Sequence, residues 1–217
     1  MISLDIETSG LDSGKCGIWQ IGALEIESPE NYFLEEGRID NEDIVESGAL
    51  KITGKTELEL RDPQKQLQKE MIMNFLKWAE TCKERIPIGQ NVGWDITFIQ
   101  NKILRYGLNN VFIEVMNQRS IDVHTLAQDR YRKINDVYFI DEKGASKMNM
   151  TETLKLCGIP DHRIGLTKDE MVKKGKPHNA LEDARLSAEC ISRLIYGRNL
   201  LPEYVKFEIP RELKNDN

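Results

Sequence analysis

The sequence has 217 residues, of which 40% are hydrophobic and 30% are charged, and its net charge is −6 at pH 7. These values are typical of one soluble domain with its own core, and no apolar run approaches the roughly 18 residues of a membrane span. The acidic total argues against a protein that coats long nucleic acid by charge alone, because such domains carry a basic excess.

The cysteines and the N-terminus indicate the compartment. The four cysteines lie far apart with no C-x-x-C pair, and we interpret them as reduced, buried thiols rather than zinc ligands: Cys16, Cys82, Cys157 and Cys190. The N-terminus lacks the basic start and the uninterrupted apolar stretch of a signal peptide. We therefore expect a cytoplasmic protein that does not contact a membrane.

The first part of the chain predicts three strands. The opening stretch MISLDIE alternates apolar and polar residues, which is the period-2 pattern of a strand with one buried face. Residues Gly17–Glu27 and Asn31–Ile39 predict two further strands. The connections are short, which favours antiparallel neighbours.

The rest of the chain predicts helices alternating with short strands. We expect a long helix over Pro63–Lys83, a buried strand at Ile86–Gly89 and a helix over Asp95–Tyr106. The stretches VFIEV and SIDVHTLA each predict a strand, or a strand that runs into a helix.

The last third predicts two more helices and a loop. Residues 132–147 are polar and favour a hairpin or excursion, Thr151–Cys157 predicts a short helix, and a long helix begins just after His178. Residues 161–176 have a basic excess of two and are the strongest candidate for a mobile loop. The polar tail past Tyr196 is expected to fray.

Two acids stand in the first predicted strand. Asp5 and Glu7 are two positions apart, so they share a face and start from backbone positions about 6.6 Å apart. Alone, such a pair is more often a solvated strand face than a site.

Two later clusters change that interpretation. NVGWDITFI places Asp95 near the start of a helix, and HNALEDA places Asp183 five residues after His178. Individually, Asp95 could be an acid favoured by the helix dipole, Asp183 a paired surface acid and His178 a surface histidine. Together and in this order, they favour a site. The stretch GLDSGKC does not complete a phosphate-binding P-loop, because it is one residue short and has Cys where Ser or Thr should stand.

The sequence resembles the DnaQ-like, or DEDDh, 3'-5' exonucleases of the ribonuclease H-like superfamily. Their motifs are D-x-E, N-x-x-x-D-x-x-F and H-x-x-x-x-D, and this chain supplies Asp5, Glu7, Asn91, Asp95, Phe98, His178 and Asp183. Position 179 is Asn, so the tyrosine variant of the family is not supported, and Trp94 stands where the family usually has Phe. The resemblance spans residues 5 to 183 and implies an α/β fold with a mixed sheet of about five strands, the first three antiparallel, flanked by helices.

The resemblance also implies a two-metal site. Asp5, Glu7 and Asp183 would hold one Mg²⁺ or Mn²⁺, Asp5 would bridge to a second ion about 3.5 to 4 Å away, and Asp95 would support that ion. His178 would be the general base.

The implied substrate is the 3' end of single-stranded DNA or RNA, released as nucleoside 5'-monophosphates. Thr8, Ser9 and Leu11 would meet the terminal nucleotide, with Leu11 as a wedge, and Asn91 and Phe98 would support that pocket, although a core position suits Phe98 equally well. The motifs do not separate DNA from RNA. We expect an exonuclease domain at residues 1–198 and a tail at 199–217, and leave open a polymerase or other protein partner and the oligomeric state.

Three other interpretations stay open from the sequence. A nucleic-acid-binding or polymerase-associated module on the same fold would bind without hydrolysis. A phosphodiesterase for small molecules would share the metal chemistry, and the acidic net charge keeps this option. If the acids were only surface residues, divalent cations would leave the melting temperature unchanged.

Overall fold

The main sheet confirms the predicted fold class. The computed structural model describes residues 1–108, 111–116, 119–166, 172–173 and 175–214. The sheet has five strands in the order β3, β2, β1, β4, β5, with bounds β1 Ile2–Thr8, β2 Ile18–Glu25, β3 Ser28–Glu36, β4 Pro87–Gly89 and β5 Ile121–Asp122. β1, β2 and β3 are antiparallel neighbours, whereas β4 is parallel to β1 and β5 to β4.

Helices cover both faces of this sheet. Their bounds are α1 Ser47–Thr53, α2 Glu57–Leu60, α3 Gln68–Thr81, α4 Val92–Arg105, α5 Val111–Val115, α6 Val123–Asn135, α7 Met150–Leu156 and α8 Ala180–Tyr196. Two 3₁₀ turns follow at Pro202–Tyr204 and Arg211–Leu213. Helices α1 and α2 lie in a part of the chain for which the sequence predicted no element.

The alternation in β1 divides its residues between the two faces. Ile2, Leu4 and Ile6 are buried in a cluster with side chains of α3 and α4. Because successive side chains point to opposite faces, Asp5 and Glu7 face the other way, toward α8, which packs across β1 and β2. The period-2 prediction for this strand is confirmed.

The predicted helix over Pro63–Lys83 begins later than expected. Residues 63–67 instead pair with the chain after β3: the Arg38 side chain donates to the Pro63 carbonyl at 2.6 Å, and the Arg38 backbone N–H donates to the Gln66 carbonyl at 2.9 Å. The segment forms a turn, in which the Lys65 N–H donates to the Asp62 carbonyl at 3.1 Å, and α3 starts at Gln68.

The prediction of a strand at VFIEV is wrong. This segment forms α5, with Phe112 and Val115 buried and Ile113 about half exposed. A five-residue apolar run has too few periods to separate a strand from one helical turn. In SIDVHTLA the second alternative is confirmed, because β5 runs directly into α6, and the Asp122 side chain caps that helix by accepting from the His124 N–H.

The two predicted irregular segments are partly ordered. Helix α6 continues to Asn135, and an antiparallel bridge between Ile140 and Ser146 then closes a hairpin, as expected. The predicted mobile loop contains two short paired strands, β6 at Gly165–Leu166 and β7 at Val172–Lys173. Residues 167–171 and 174 of that loop lie outside the described residues.

The expectation that the tail frays is wrong for most of its length. Leu201, Ile209 and Leu213 are buried against α7 and α8, and the guanidinium of Arg193 in α8 donates to the carbonyl of Phe207. Residues 215–217 lie outside the described residues, and the domain boundary after residue 198 stays a prediction.

The predicted burial of the four cysteines is confirmed. All four are buried and free of disulfides. In the described ranges, none belongs to a group that could hold a metal ion. No described helix is long and apolar enough to cross a membrane.

Candidate active site

Helix α8 is held on the sheet by close backbone contact. A Cβ atom at Gly22 of β2 would lie 2.1 Å from the backbone nitrogen of Leu181, so this approach requires glycine. One turn further on, the Ser3 hydroxyl donates to the Ala184 carbonyl at 2.7 Å. These contacts bring Asp183 to the acidic face of β1.

Helix α4 brings a further acid to β1 from the opposite side. Oδ1 of Asp95 accepts from the backbone N–H of Ile6 at 3.1 Å, between the two acids of the strand. The chain enters α4 at Asn91, which has a left-handed φ of 57° and whose N–H donates to Oδ1 of Asp122 at 3.2 Å. The sharp turn after β4 therefore sets the position of Asp95.

Burial and mutual repulsion raise the pKa values of these acids. Burial raises the pKa of Asp5 well above its usual value, and the negative charges of Asp183, Asp95 and Glu7 add to this effect. Burial raises the pKa of Glu7 to about 8, with Asp183 contributing. Burial also raises the pKa of Asp95, although the N–H of Ile6 opposes the shift. A bound cation would relieve this repulsion.

The acids have buried oxygens without partners. Oε1 of Glu7 and Oδ1 of Asp183 are buried and accept no hydrogen bond. One ligand atom each from Glu7, His178 and Asp183 lie within 4.8 Å of one another. Unsatisfied buried carboxylate oxygens are costly and are a sign of an ion that belongs to the site. The residues present therefore fit a bound divalent cation.

Two basic groups contact the other oxygen of Asp183. Nδ1 of His178 and Nη1 of Arg163 each lie 3.2 Å from Oδ2. The second ring nitrogen, Nε2, lies 2.9 Å from the carbonyl of Ile164. Burial lowers the pKa of His178, but the hydrogen bond and charge of Asp183, with the charge of Glu7, outweigh burial and raise it. With acceptors at both nitrogens, this arrangement favours the imidazolium.

A recess of about 260 Å³ adjoins the acids on the side of α1. Its lining includes Glu7 and His178, the exposed side chain of Leu11, and Ile52 and Trp94. The recess is mostly apolar and opens directly onto the carboxylates. It has the size and position to take one flat ring system.

The predicted substrate residues divide into two groups. Thr8 and Leu11 line the recess. Ser9 does not: it is fully buried, and its hydroxyl donates to the Ile44 carbonyl at 2.6 Å, which fixes the loop after β1. Asn91 lies exposed at the start of α4, outside the recess lining.

Phe98 has a core position. Its side chain is fully buried, and its ring centroid lies 4.5 Å from that of Trp94. Trp94 lies between Phe98 and the recess, so any effect of Phe98 on a ligand there acts by supporting Trp94.

Two further residues contribute to this site and were not predicted from the sequence. Oε2 of Glu46 accepts from the N–H of Leu11 at 3.1 Å and so orders the recess wall. Arg163 contacts Asp183 from the basic segment, where only the local charge excess hinted at a role. Neither residue belongs to a recognised motif.

The five-stranded mixed sheet, with its order β3, β2, β1, β4, β5, matches the ribonuclease H-like fold. The chain belongs to the exonuclease family RNase_T, whose pattern it matches over residues 2–191. The resemblance drawn from the motifs is thereby confirmed.

Known proteins that are similar to this chain include a bacterial DNA polymerase, by sequence, and a bacterial exonuclease, by structure. The chain is 24% identical over 194 residues to a PolC-type DNA polymerase III from Caldanaerobacter subterraneus subsp. tengcongensis, covering 89% of this chain and 11% of the polymerase. It is similar in structure to E. coli exonuclease I in complex with a dT13 oligonucleotide, with a TM-score of 0.65, 16% identity and coverage of 88% of this chain and 40% of that chain.

A second structure of the same enzyme is a zinc-bound complex of E. coli exonuclease I with single-stranded DNA, with a TM-score of 0.58, 16% identity and coverage of 89% of this chain and 39% of that chain. The chain thus spans about a tenth of the polymerase and about two fifths of exonuclease I.

Proposed function

We propose that the protein is a metal-dependent 3'-5' exonuclease that acts on single-stranded DNA or RNA and releases nucleoside 5'-monophosphates. The observation that carries the proposal is the convergence of Asp5, Glu7, Asp95 and Asp183, with unpaired buried oxygens on Glu7 and Asp183. Membership of the exonuclease family and the single strands named in the exonuclease I structures support the same conclusion.

The four carboxylates would hold two divalent cations, Mg²⁺ or Mn²⁺. Carboxylate oxygens are hard ligands that suit these ions better than zinc. When bound, such ions neutralise charge on the attacking and leaving oxygens of a phosphodiester. Asp5 lines one pocket with Glu7 and Asp183, and the charges of Asp183, Asp95 and Glu7 add to the effect of burial on its pKa, so Asp5 would serve as the shared ligand of the two ions.

The chain's own groups would orient the substrate. The terminal nucleoside would enter the recess, with Leu11 against its base and Trp94 as a wall. Glu46 would keep the Leu11 backbone in place. This seating puts the terminal phosphodiester at the carboxylates, because Glu7 lines both the recess and the neighbouring acidic pocket. The acidic pocket has a volume of about 190 Å³, and its lining includes Asp5, Glu7, Arg163, His178 and Asp183.

His178 would act as the general base. In the structure Nδ1 lies beside Asp183 and Nε2 beside the Ile164 carbonyl, which makes a protonated ring a favourable partner of Asp183. A cation on Asp183 would take over that role, and the histidine would then be neutral and able to accept a proton from water.

The test is metal-dependent shortening of a 5'-labelled single strand. We expect a ladder of one-nucleotide steps with Mn²⁺ and no reaction with a chelator. Asp5→Asn should abolish the ladder, whereas Asp129→Asn, at an exposed ion pair on α6, should not.

The same assay separates the two rival functions. Binding of the strand without shortening would indicate a non-catalytic module. A small chromogenic phosphodiester cleaved far faster than any oligonucleotide would indicate a small-molecule phosphodiesterase. A partnership with a polymerase is a further proposal, suggested by the polymerase relative, and co-purification would test it.

A further inference from the structure

A larger cleft of about 510 Å³ opens beside the acidic pocket. Helix α8 and the tail form most of its walls, including Leu181, Arg185, Lys206 and Phe207, and Tyr32 of β3 lies at one side. Its volume is in the range of about 300 to 1,000 Å³ in which proteins bind small ligands. None of the seven motif residues, from Asp5 to Asp183, lines this cleft.

The cleft is positive although the protein is acidic. Its lining contains four cations, Arg163, Lys176, Arg185 and Lys206, against two carboxylates, Glu182 and Glu203. Arg185 is paired with Glu203 at 2.6 Å, and Arg163 is paired with Asp161 at 3.0 Å and with Asp183 at 3.2 Å. Lys176 and Lys206 are exposed, and within the described part of the chain neither side chain forms an ion pair. The Lys206 amine lies over the Phe207 ring, 5.0 Å from its centroid. No described carboxylate neutralises either amine, so both can meet anionic groups.

Aromatic rings lie among these cations. Tyr32 is 54% exposed, and the ring centroids of Tyr204 and Phe207 lie 6.5 Å apart. Proteins that bind single strands combine a basic groove for the phosphates with aromatic rings on which bases stack. The cleft has both features.

The cleft adjoins the acidic pocket, and the acidic pocket adjoins the recess, because neighbouring cavities share lining residues. Arg163 lines both the cleft and the acidic pocket, while Glu7 and His178 line both the acidic pocket and the recess. A strand with its terminal nucleoside in the recess and its last phosphodiester at the acids would therefore reach the cleft next.

We propose that this cleft binds the nucleotides on the 5' side of the scissile phosphate in a single-stranded nucleic acid. The inference rests on the proposed function for the direction of the strand. Lys176 and Lys206 bind phosphates, and the rings of Tyr32 and Phe207 stack on bases. Arg163 lies at the junction and guides the strand into the acidic pocket.

The first experiment measures binding without hydrolysis. The affinity of fluorescein-labelled dT10 and rU10 is measured by anisotropy in Ca²⁺, as a function of salt, for the wild type and for Lys176→Ala combined with Lys206→Ala. Each phosphate contact on a single strand contributes about 0.7 to the slope of log affinity against log salt. We expect the double variant to bind about tenfold more weakly and to lose about 1.4 from that slope.

A matched control tests the other possible exit for the strand. Met150 and Gln90 line the opposite flank of the acidic pocket, and Gln90 donates to the Met148 carbonyl, next to the exposed Lys147. Lys147→Ala should leave both affinity and slope unchanged. Tyr32→Ala should weaken binding about fivefold or more without changing the slope.

The outcomes separate this inference from the proposed function. A wild type that hydrolyses nothing refutes the exonuclease proposal, while anisotropy still reports on the cleft. Unchanged affinity and slope in the double lysine variant, a loss confined to Lys147→Ala, or no binding of either strand by the wild type would overturn the inference. Hydrolysis of a chromogenic thymidine 5'-phosphodiester, which has no nucleotide to place in the cleft, should be equal in all these variants.

Discussion

Asp5 lies directly opposite Gly22 across β1 and β2, and the first turn of α8 rests on that glycine. The absent side chain at Gly22 lets the helix backbone approach until Asp183 meets Asp5. The position of the candidate site thus depends on a residue that has no side chain.

Gly22→Ala should disrupt the packing of α8 on β2 and, with it, the candidate metal site. The new methyl group would lie 2.1 Å from the Leu181 nitrogen, which is backbone and cannot turn aside. We expect a loss of about 1 to 3 kcal/mol in the free energy of unfolding, measured by urea denaturation. The stabilisation by Mn²⁺ should also fall. Gly93→Ala is the control, because a Cβ at Gly93 would have no atom within 4 Å apart from its chain neighbours and the backbone of its own helix. A similar loss of stability in both variants would contradict the role of Gly22.

Asp5→Asn should raise the melting temperature of the metal-free protein. It removes one of four neighbouring negative charges from a buried site. In the wild type, Mn²⁺ at a hundred times its Kd should increase the free energy of unfolding by about 2.7 kcal/mol. For a protein of this size, that corresponds to an increase of about 5 to 11 °C in melting temperature. The variant should lose most of that increase. Calorimetry with and without Mn²⁺ measures both effects, and an equal increase in the two proteins would exclude Asp5 as a ligand.

The stability of the metal-free protein should fall as the pH rises from about 5 to 8. Glu7 has a pKa raised from 4.5 to about 8 in the folded protein, so in this window the folded state keeps a proton that the unfolded chain has released. The raised pKa values of Asp5 and Asp95 act in the same direction. Melting temperatures at fixed ionic strength check this, and Glu7→Gln should flatten the profile.

Metal binding should show the opposite trend. Ions displace the protons from these carboxyls, so the affinity for Mn²⁺ should increase with pH over the same window. An affinity that is independent of pH would show that the ion binds elsewhere.

Leu11→Ala should impair hydrolysis without affecting stability. The side chain is 76% exposed, and surface substitutions usually change the free energy of unfolding by no more than about 0.5 kcal/mol. If Leu11 packs against the terminal base, its loss should reduce kcat/KM on oligonucleotides. Leu58→Ala, at an 85% exposed position on α2, is the matched control. Equal kinetics for the two variants would remove Leu11 from the substrate site.

Local sequence patterns predicted most of the strands and helices, because such patterns reflect which face of an element is buried. The alternation around Asp5 and the helical stripe after His178 each describe one face of one element, and both elements form as expected. The acids of β1, α4 and α8 converge because their elements are neighbours in the predicted fold.

What the sequence could not predict depends on contacts between distant segments. VFIEV is helical because its buried pair, Phe112 and Val115, packs against other helices, which a five-residue pattern cannot reveal. The tail is ordered because Arg193 reaches backbone carbonyls beyond its own helix. Glu46 lines the recess because it meets the loop after β1, where its side chain accepts from the N–H of Leu11, 35 residues away in the sequence.

The most direct test of the account follows release of a radiolabelled 3'-terminal nucleotide from a single strand as Mn²⁺ is added, removed by chelation and added again. The account predicts that the label leaves as a nucleoside 5'-monophosphate only while Mn²⁺ is present, and that Asp183→Asn releases none. Release of the 5' end first, or a rate that does not depend on the metal, would contradict it.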